Sequence, residues 1–212
     1  MFLNPAAFNA HLNHMGQKVT WAKAFRCPCF NPHSGAARAN CPNCHGKAWF
    51  WADPVTAVTG VASQQLQLKW AQFGMWQDGD TVLSVPEDSP VYESGQFDRI
   101  VMLNNTDYFS LPLVRGGPDE RISDPVEKIT RVFWLDGLGK LVEGGIPEVN
   151  ADGTLTWTSG SPPVGMPYSI TGTKYNEYYV YGAYPGDRME HQGARLPRRI
   201  VVRRFDLFGR DL

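Results

Sequence analysis

Residues 27–46 read Cys-Pro-Cys-Phe-Asn-Pro-His-Ser-Gly-Ala-Ala-Arg-Ala-Asn-Cys-Pro-Asn-Cys-His-Gly and hold all 4 cysteines of the chain. Cys27 and Cys29 form one pair, Cys41 and Cys44 the other, with 11 residues rich in Asn, Pro, Ser and Gly between the pairs. Two thiol pairs at this spacing can converge on one tetrahedral ion. Four thiolates suit zinc, whose filled d shell imposes no competing geometry. Pro42 stiffens the turn after the first ligand of the second pair, and Gly46 can take the positive φ that turns backbone N–H groups toward the sulfurs. The expected centre is a structural zinc held by Cys27, Cys29, Cys41 and Cys44. His33 and His45 are alternates, able to replace one sulfur of the tight Cys27/Cys29 pair.

Three rival readings of the same cysteines remain. A disulfide framework suits an oxidising compartment, but Met1 to Thr20 lacks the basic start and apolar core of a signal peptide. Cys41-Pro-Asn-Cys44-His45 matches a haem-attachment pattern, which would leave Cys27 and Cys29 without a role. A catalytic zinc keeps an open position beside an acid or base. Zinc deaminases place H-x-E before P-C-x-x-C; this chain has no H-x-E, and its proline follows the first cysteine. Four thiolates point instead to a closed site.

Upstream, residues 1–26 read as a leader with one short helix. Asn4 is its cap, Pro5 its first residue, Phe8 and Leu12 its apolar stripe, and Gly16 its end. His11 and His14 share one face of it, as exposed polar positions. Val19, Trp21 and Phe25 then lead in extended form to a zinc knuckle at 27–52, whose Trp49-Phe50-Trp51 exit packs it onto its domain.

Downstream the text is that of a β protein, and the expected fold is mainly β. A barrel-like module at 55–114 contains short runs at Val55–Val61 and Leu66–Trp70, a turn at 77–80 and a strand at Thr81–Val85 stopped by Pro86. Asp98–Asn104 is the clearest buried strand. Asn104-Asn-Thr-Asp107 reads as a turn from which Tyr108–Val114 returns, making a hairpin. A loop at 115–125 precedes a second β module at 126–185, with a sandwich-like pairing of the Trp157 strand and the Tyr168 strand. Tyrosines at 175, 178, 179, 181 and 184 read as a half-buried sheet face or an oligomer interface.

Across 212 residues, 42% hydrophobic and 12% aromatic composition is that of a globular chain, and no apolar run approaches a membrane span. The net charge of -1 hides a contrast: residues 187–212 hold 7 arginines against 4 acids. In this extended C-terminal arm (186–212), Arg195, Arg198, Arg199, Arg203 and Arg204 either pair within the chain or contact a subunit or DNA. Phosphate-binding loops, nucleophile elbows and H-E-x-x-H helices are missing from the sequence, so no enzyme is expected.

The Cys27-Pro-Cys … Cys41-Pro-Asn-Cys-His-Gly-Lys-Ala-Trp-Phe-Trp segment, the β-rich middle and Gly193-Ala-Arg-Leu-Pro-Arg-Arg-Ile-Val-Val-Arg-Arg-Phe-Asp-Leu-Phe resemble the tailed-bacteriophage head-to-tail interface proteins (neck, collar or head closure). The resemblance implies a non-enzymatic virion protein, assembled in the host cytoplasm without a membrane. It further implies a ring, sixfold in order, with the portal or connector above, tail proteins below and transient contact with the DNA passing through. A zinc ribbon joined to an OB-like nucleic-acid-binding barrel is the alternative reading, with Trp49–Trp51 and the arginine tail as its working surfaces.

Overall fold

Asn4 opens the first helix, α1 (Pro5–Met15), and its side-chain oxygen accepts a 3.2 Å hydrogen bond from the Ala7 N–H. This computed structural model describes residues 4–44, 46–191 and 193–208. Gly16 ends α1 where nothing larger fits: a Cβ there would lie 2.3 Å from the Leu12 carbonyl oxygen and 2.5 Å from Val58. The chain then forms β1 (Gln17–Ala22), β2 (Ala24–Arg26), β3 (Trp49–Trp51), β4 (Val55–Val61), α2 (Gln64–Gln72) and β5 (Thr81–Val85). The long β6 (Arg99–Val114) leads to β7 (Val126–Leu135), β8 (Leu141–Glu143), β9 (Glu148–Val149) and β10 (Leu155–Thr156). After β11 (Pro167–Ala183) come β12 (Glu190–His191), β13 (Ala194–Arg195), β14 (Arg198–Arg204) and a 3-10 turn at Phe205–Leu207. The protein is mainly β, as expected, with a short N-terminal helix and a large sheet. No helix among the described residues is long and apolar enough to cross a membrane.

Two compact units are present, Met1–Asn104 with Glu177–Leu212, and Asn105–Asn176. In the first, strands pair in the order β14-β5-β4-β1-β6-β11, and β11 pairs again with β14. Every strand of that run therefore has neighbours on both sides. Alternation along β14 divides the core. Ile200 and Val202 pack with Val19, Leu83, Val85 and Ile100 on one face. Val201, one residue out of phase, packs with Val82, Trp70 and Tyr184 on the other. A strand buried on both faces reads as a continuous apolar run, which is what Ile200-Val-Val202 is. Each such side chain fully withdrawn from water contributes about 1.5–3 kcal/mol. In the second unit β11 pairs with β7 and β7 with β8, around a core of Leu113, Ile122, Ile129, Val132, Tyr168 and Ile170. The Trp157 and Tyr168 segments meet through their rings, edge to face with centroids 5.7 Å apart, but not as the expected paired strands: β10 ends at Thr156 and pairs with β9.

Three local expectations are corrected. Leu66–Trp70 is not an extended run but part of α2, because Gln-Gln-Leu-Gln-Leu-Lys-Trp has no β-branched residue and consists mostly of good helix formers. Leu66 and Trp70, at i and i+4, turn inward while Leu68 stays exposed. Residues 104–107 do not reverse the chain: β6 runs straight through them for 16 residues. A tight two-residue reversal demands positive φ, which neither Asn105 nor Thr106 adopts. Their side chains face water instead, so turn-forming composition reflects exposure. Finally, the runs at Tyr168 and Tyr175 are one 17-residue strand, β11.

Candidate metal centre

Between β2 and β3 the chain makes the loop that carries all four thiols, and the ribbon closes its neck. Ala24 stands opposite Trp51, Phe25 opposite Phe50, and Arg26 opposite Trp49. The Cys27 N–H then donates to the Ala48 carbonyl at 2.8 Å. Gly46 takes the expected left-handed conformation at φ 81°, and the Lys47 N–H returns to the Cys44 carbonyl at 2.9 Å. Asn31 shapes the far end, its side-chain oxygen accepting from the N–H groups of His33 and Ser34.

The loop brings together the side chains of Cys27, Cys29, Cys41 and Cys44, whose sulfurs all lie within 4.8 Å of one another. The nearest pairs join the two halves: Cys27 to Cys41 at 3.6 Å and Cys29 to Cys44 at 3.4 Å. A disulfide needs about 2.0 Å, whereas sulfurs tetrahedrally placed around an ion at about 2.3 Å stand roughly 3.8 Å apart. All four cysteines are free thiols, three of them buried. The donor set therefore fits one metal ion. His33 is exposed and is not among the converging groups. His45, the other alternate ligand, lies outside the described residues, as does Arg210 of the tail.

Crowding sets the thiols against one another. Cys41 is lowered to about 6, chiefly by hydrogen bonds from the backbone at Cys44 and Asn43. Burial pushes Cys29 up to about 12, against a backbone hydrogen bond at Arg38, and the neighbouring sulfurs add to the rise. At Cys27 the largest influence, a backbone hydrogen bond at Cys29, pulls downward. Burial and the Cys41 and Cys44 sulfurs outweigh it, and the thiol is raised. A dication would supply what the cluster lacks, a positive charge that displaces the remaining protons.

Aromatic rings seat the knuckle. Trp49 lies 4.7 Å from Phe97, and Trp51 lies 5.3 Å from Phe205 and 5.6 Å from Phe208. Phe97 holds a left-handed φ of 73°, uncommon for a bulky residue, with its N–H on the Val180 carbonyl. Its own carbonyl accepts from the Trp51 indole at 2.9 Å. Beside it, buried Asp98 accepts from the Trp21 indole, the Ala24 N–H, the Gly95 N–H and the Lys23 ammonium. Sequence reasoning gave neither Phe97 nor Asp98 a part in this; Gly95 shortly before them was the available turn signal.

The candidate arginines lie along β13 and β14, each engaged within the chain. Arg203 is buried and grips Asp80 with two bonds of 2.8 and 3.0 Å. Arg198 donates to the Tyr92 and Ser94 carbonyls, each at 2.8 Å. Arg199 stands 3.9 Å from Asp187, Arg204 bonds Asp206, and Arg195 lies over the Tyr92 ring. No protein-family model matches the chain, and no curated protein matches it in sequence.

Proposed function

We propose that the cluster holds one structural zinc ion, and that the chain is a non-enzymatic virion subunit of the tailed-phage head-to-tail interface, assembling into a ring. The observation that carries the zinc reading is the convergence of four thiols, three of them buried, with no carboxylate or imidazole in the set among the described residues. A closed donor set of this kind stiffens a loop too poor in apolar residues to fold alone, and leaves no ligand position for a substrate. The neck reading is supported by the resemblance of residues 27–51 and 193–208 to that family, and by the seating of both segments against each other through Trp51, Phe205 and Phe208.

Purified chain should contain one zinc per protomer by elemental analysis and form sixfold rings by electron microscopy. Cys41→Ser should lose both the metal and the rings. A metal-free mutant that still assembles would overturn the link between zinc and assembly, and zinc-loaded chain that stays monomeric would overturn the ring.

A further inference from the structure

The first 52 residues contain Lys18, Lys23, Arg26, Arg38 and Lys47 but not one Asp or Glu, a formal +5 that leaves the remaining residues at -6 out of a total of -1. Lys23 is held by Asp98 at 3.3 Å. Arg26, Arg38 and Lys47 are exposed, and no carboxylate pairs with any of them among the described residues. All three belong to the cysteine loop and its ribbon. The Arg26 guanidinium lies 3.8 Å from the Phe30 ring centroid and 4.6 Å from that of Trp49. The Lys47 ammonium stands 5.2 Å from the Phe205 ring, and Phe25, half exposed, stacks on Phe50 at 5.6 Å.

We infer that the outer surface of the cysteine knuckle, through Arg26, Arg38 and Lys47, binds the phosphate backbone of nucleic acid. Cations interleaved with exposed rings suit a chain of phosphates with bases between them. Unpaired guanidinium and ammonium groups release counterions on contact, whereas Arg198, Arg199, Arg203 and Arg204 already hold carboxylates or backbone carbonyls. A dication on four thiolates leaves the centre itself negative, but three of the four sulfurs are buried and Cys41 faces backbone N–H groups, while the cations face water. The knuckle then has two separable parts: sulfurs that set its shape and an outer layer that meets the ligand. The inference stands on the charge map and not on the ring. Chain that binds DNA as a monomer would overturn the neck reading and leave this one intact, and rings indifferent to DNA would do the reverse.

The test is fluorescence anisotropy of zinc-loaded full chain with labelled duplex and single-stranded DNA, titrated from low to physiological salt. Three phosphate contacts give a log–log salt slope of roughly -2.7 on duplex and roughly -2 on single strands. The tighter of the two identifies the form bound. Arg38→Gln and Lys47→Gln, which leave zinc content unchanged, should each flatten the slope by about 1. Lys128→Gln in the second unit and Arg204→Gln on β14, whose arginine already pairs with Asp206, should not change it. No binding at low salt, a slope untouched by both knuckle variants, or binding to phosphatidylserine vesicles but not to DNA would each overturn the inference.

Discussion

Asp80 and Arg203 are 123 positions apart, yet they form a bidentate ion pair from which water is excluded. Asp80 also accepts from the Trp70 indole and the Gln77 N–H, so its lone pairs are occupied. Breaking one side of such a pair leaves a buried charge without a partner, and Arg203→Met should lower stability by about 3–5 kcal/mol in urea denaturation. Arg204→Met, at an exposed neighbouring pair, should change it by less than about 0.5 kcal/mol. Glu120 supplies the acid dependence. Burial alone would raise its pKa, but hydrogen bonds from the Gly116 N–H and the Tyr168 hydroxyl, with Arg115 alongside, together hold it below the usual glutamate value. Because the folded pKa is the lower one, its stabilisation is complete above the unfolded value and is lost as pH falls through the folded one. Glu120→Gln should therefore flatten the acid side of a stability–pH curve and leave its slope near neutrality unchanged. Of these residues the sequence marks only identity: four cysteines at ligand spacing declare themselves, whereas the Asp80–Arg203 pair depends on a register that no local pattern carries. The acid-free stretch before Asp53 was legible, but only as an absence.

At the scale of elements, burial explains which segments could be read. Val55–Val61 and Thr81–Val85 coincide with β4 and β5, because every residue of each has a partner strand, β1 and then β5 along β4 and β14 along all of β5, and each stops at a breaker or turn. β6 and β11 are different. Along β6 the residues at 100–102 are buried, those at 104–108 are exposed, and alternate positions from 109 are covered again. A strand that serves two cores in turn loses its hydrophobic period without losing its backbone geometry, and sequence periodicity divides it. In α2 the apolar positions mislead in the other direction, since Leu66, Leu68 and Trp70 alternate like a strand while the helix buries Trp70, half-buries Leu66 and leaves Leu68 exposed. Trp70→Ala should cost about 3–5 kcal/mol by chemical denaturation, and Leu68→Glu almost nothing. An extended segment with all three side chains on one face would lose heavily from both.

For the whole molecule, the order of pairing has a consequence for synthesis. β14 sits between β5 and β11, although it follows both in the chain. Until residues 198–204 leave the ribosome, β5 and β11 each present a row of unsatisfied amides and carbonyls, flanked by the apolar surface that Ile200, Val201 and Val202 will later cover. Such open margins invite pairing with other nascent chains. Contacts this distant along the chain also slow the final closure. β14, made after both strands it pairs with, thus covers two open margins at once, and a polypeptide interrupted before it would be left sticky and recognisable to quality control.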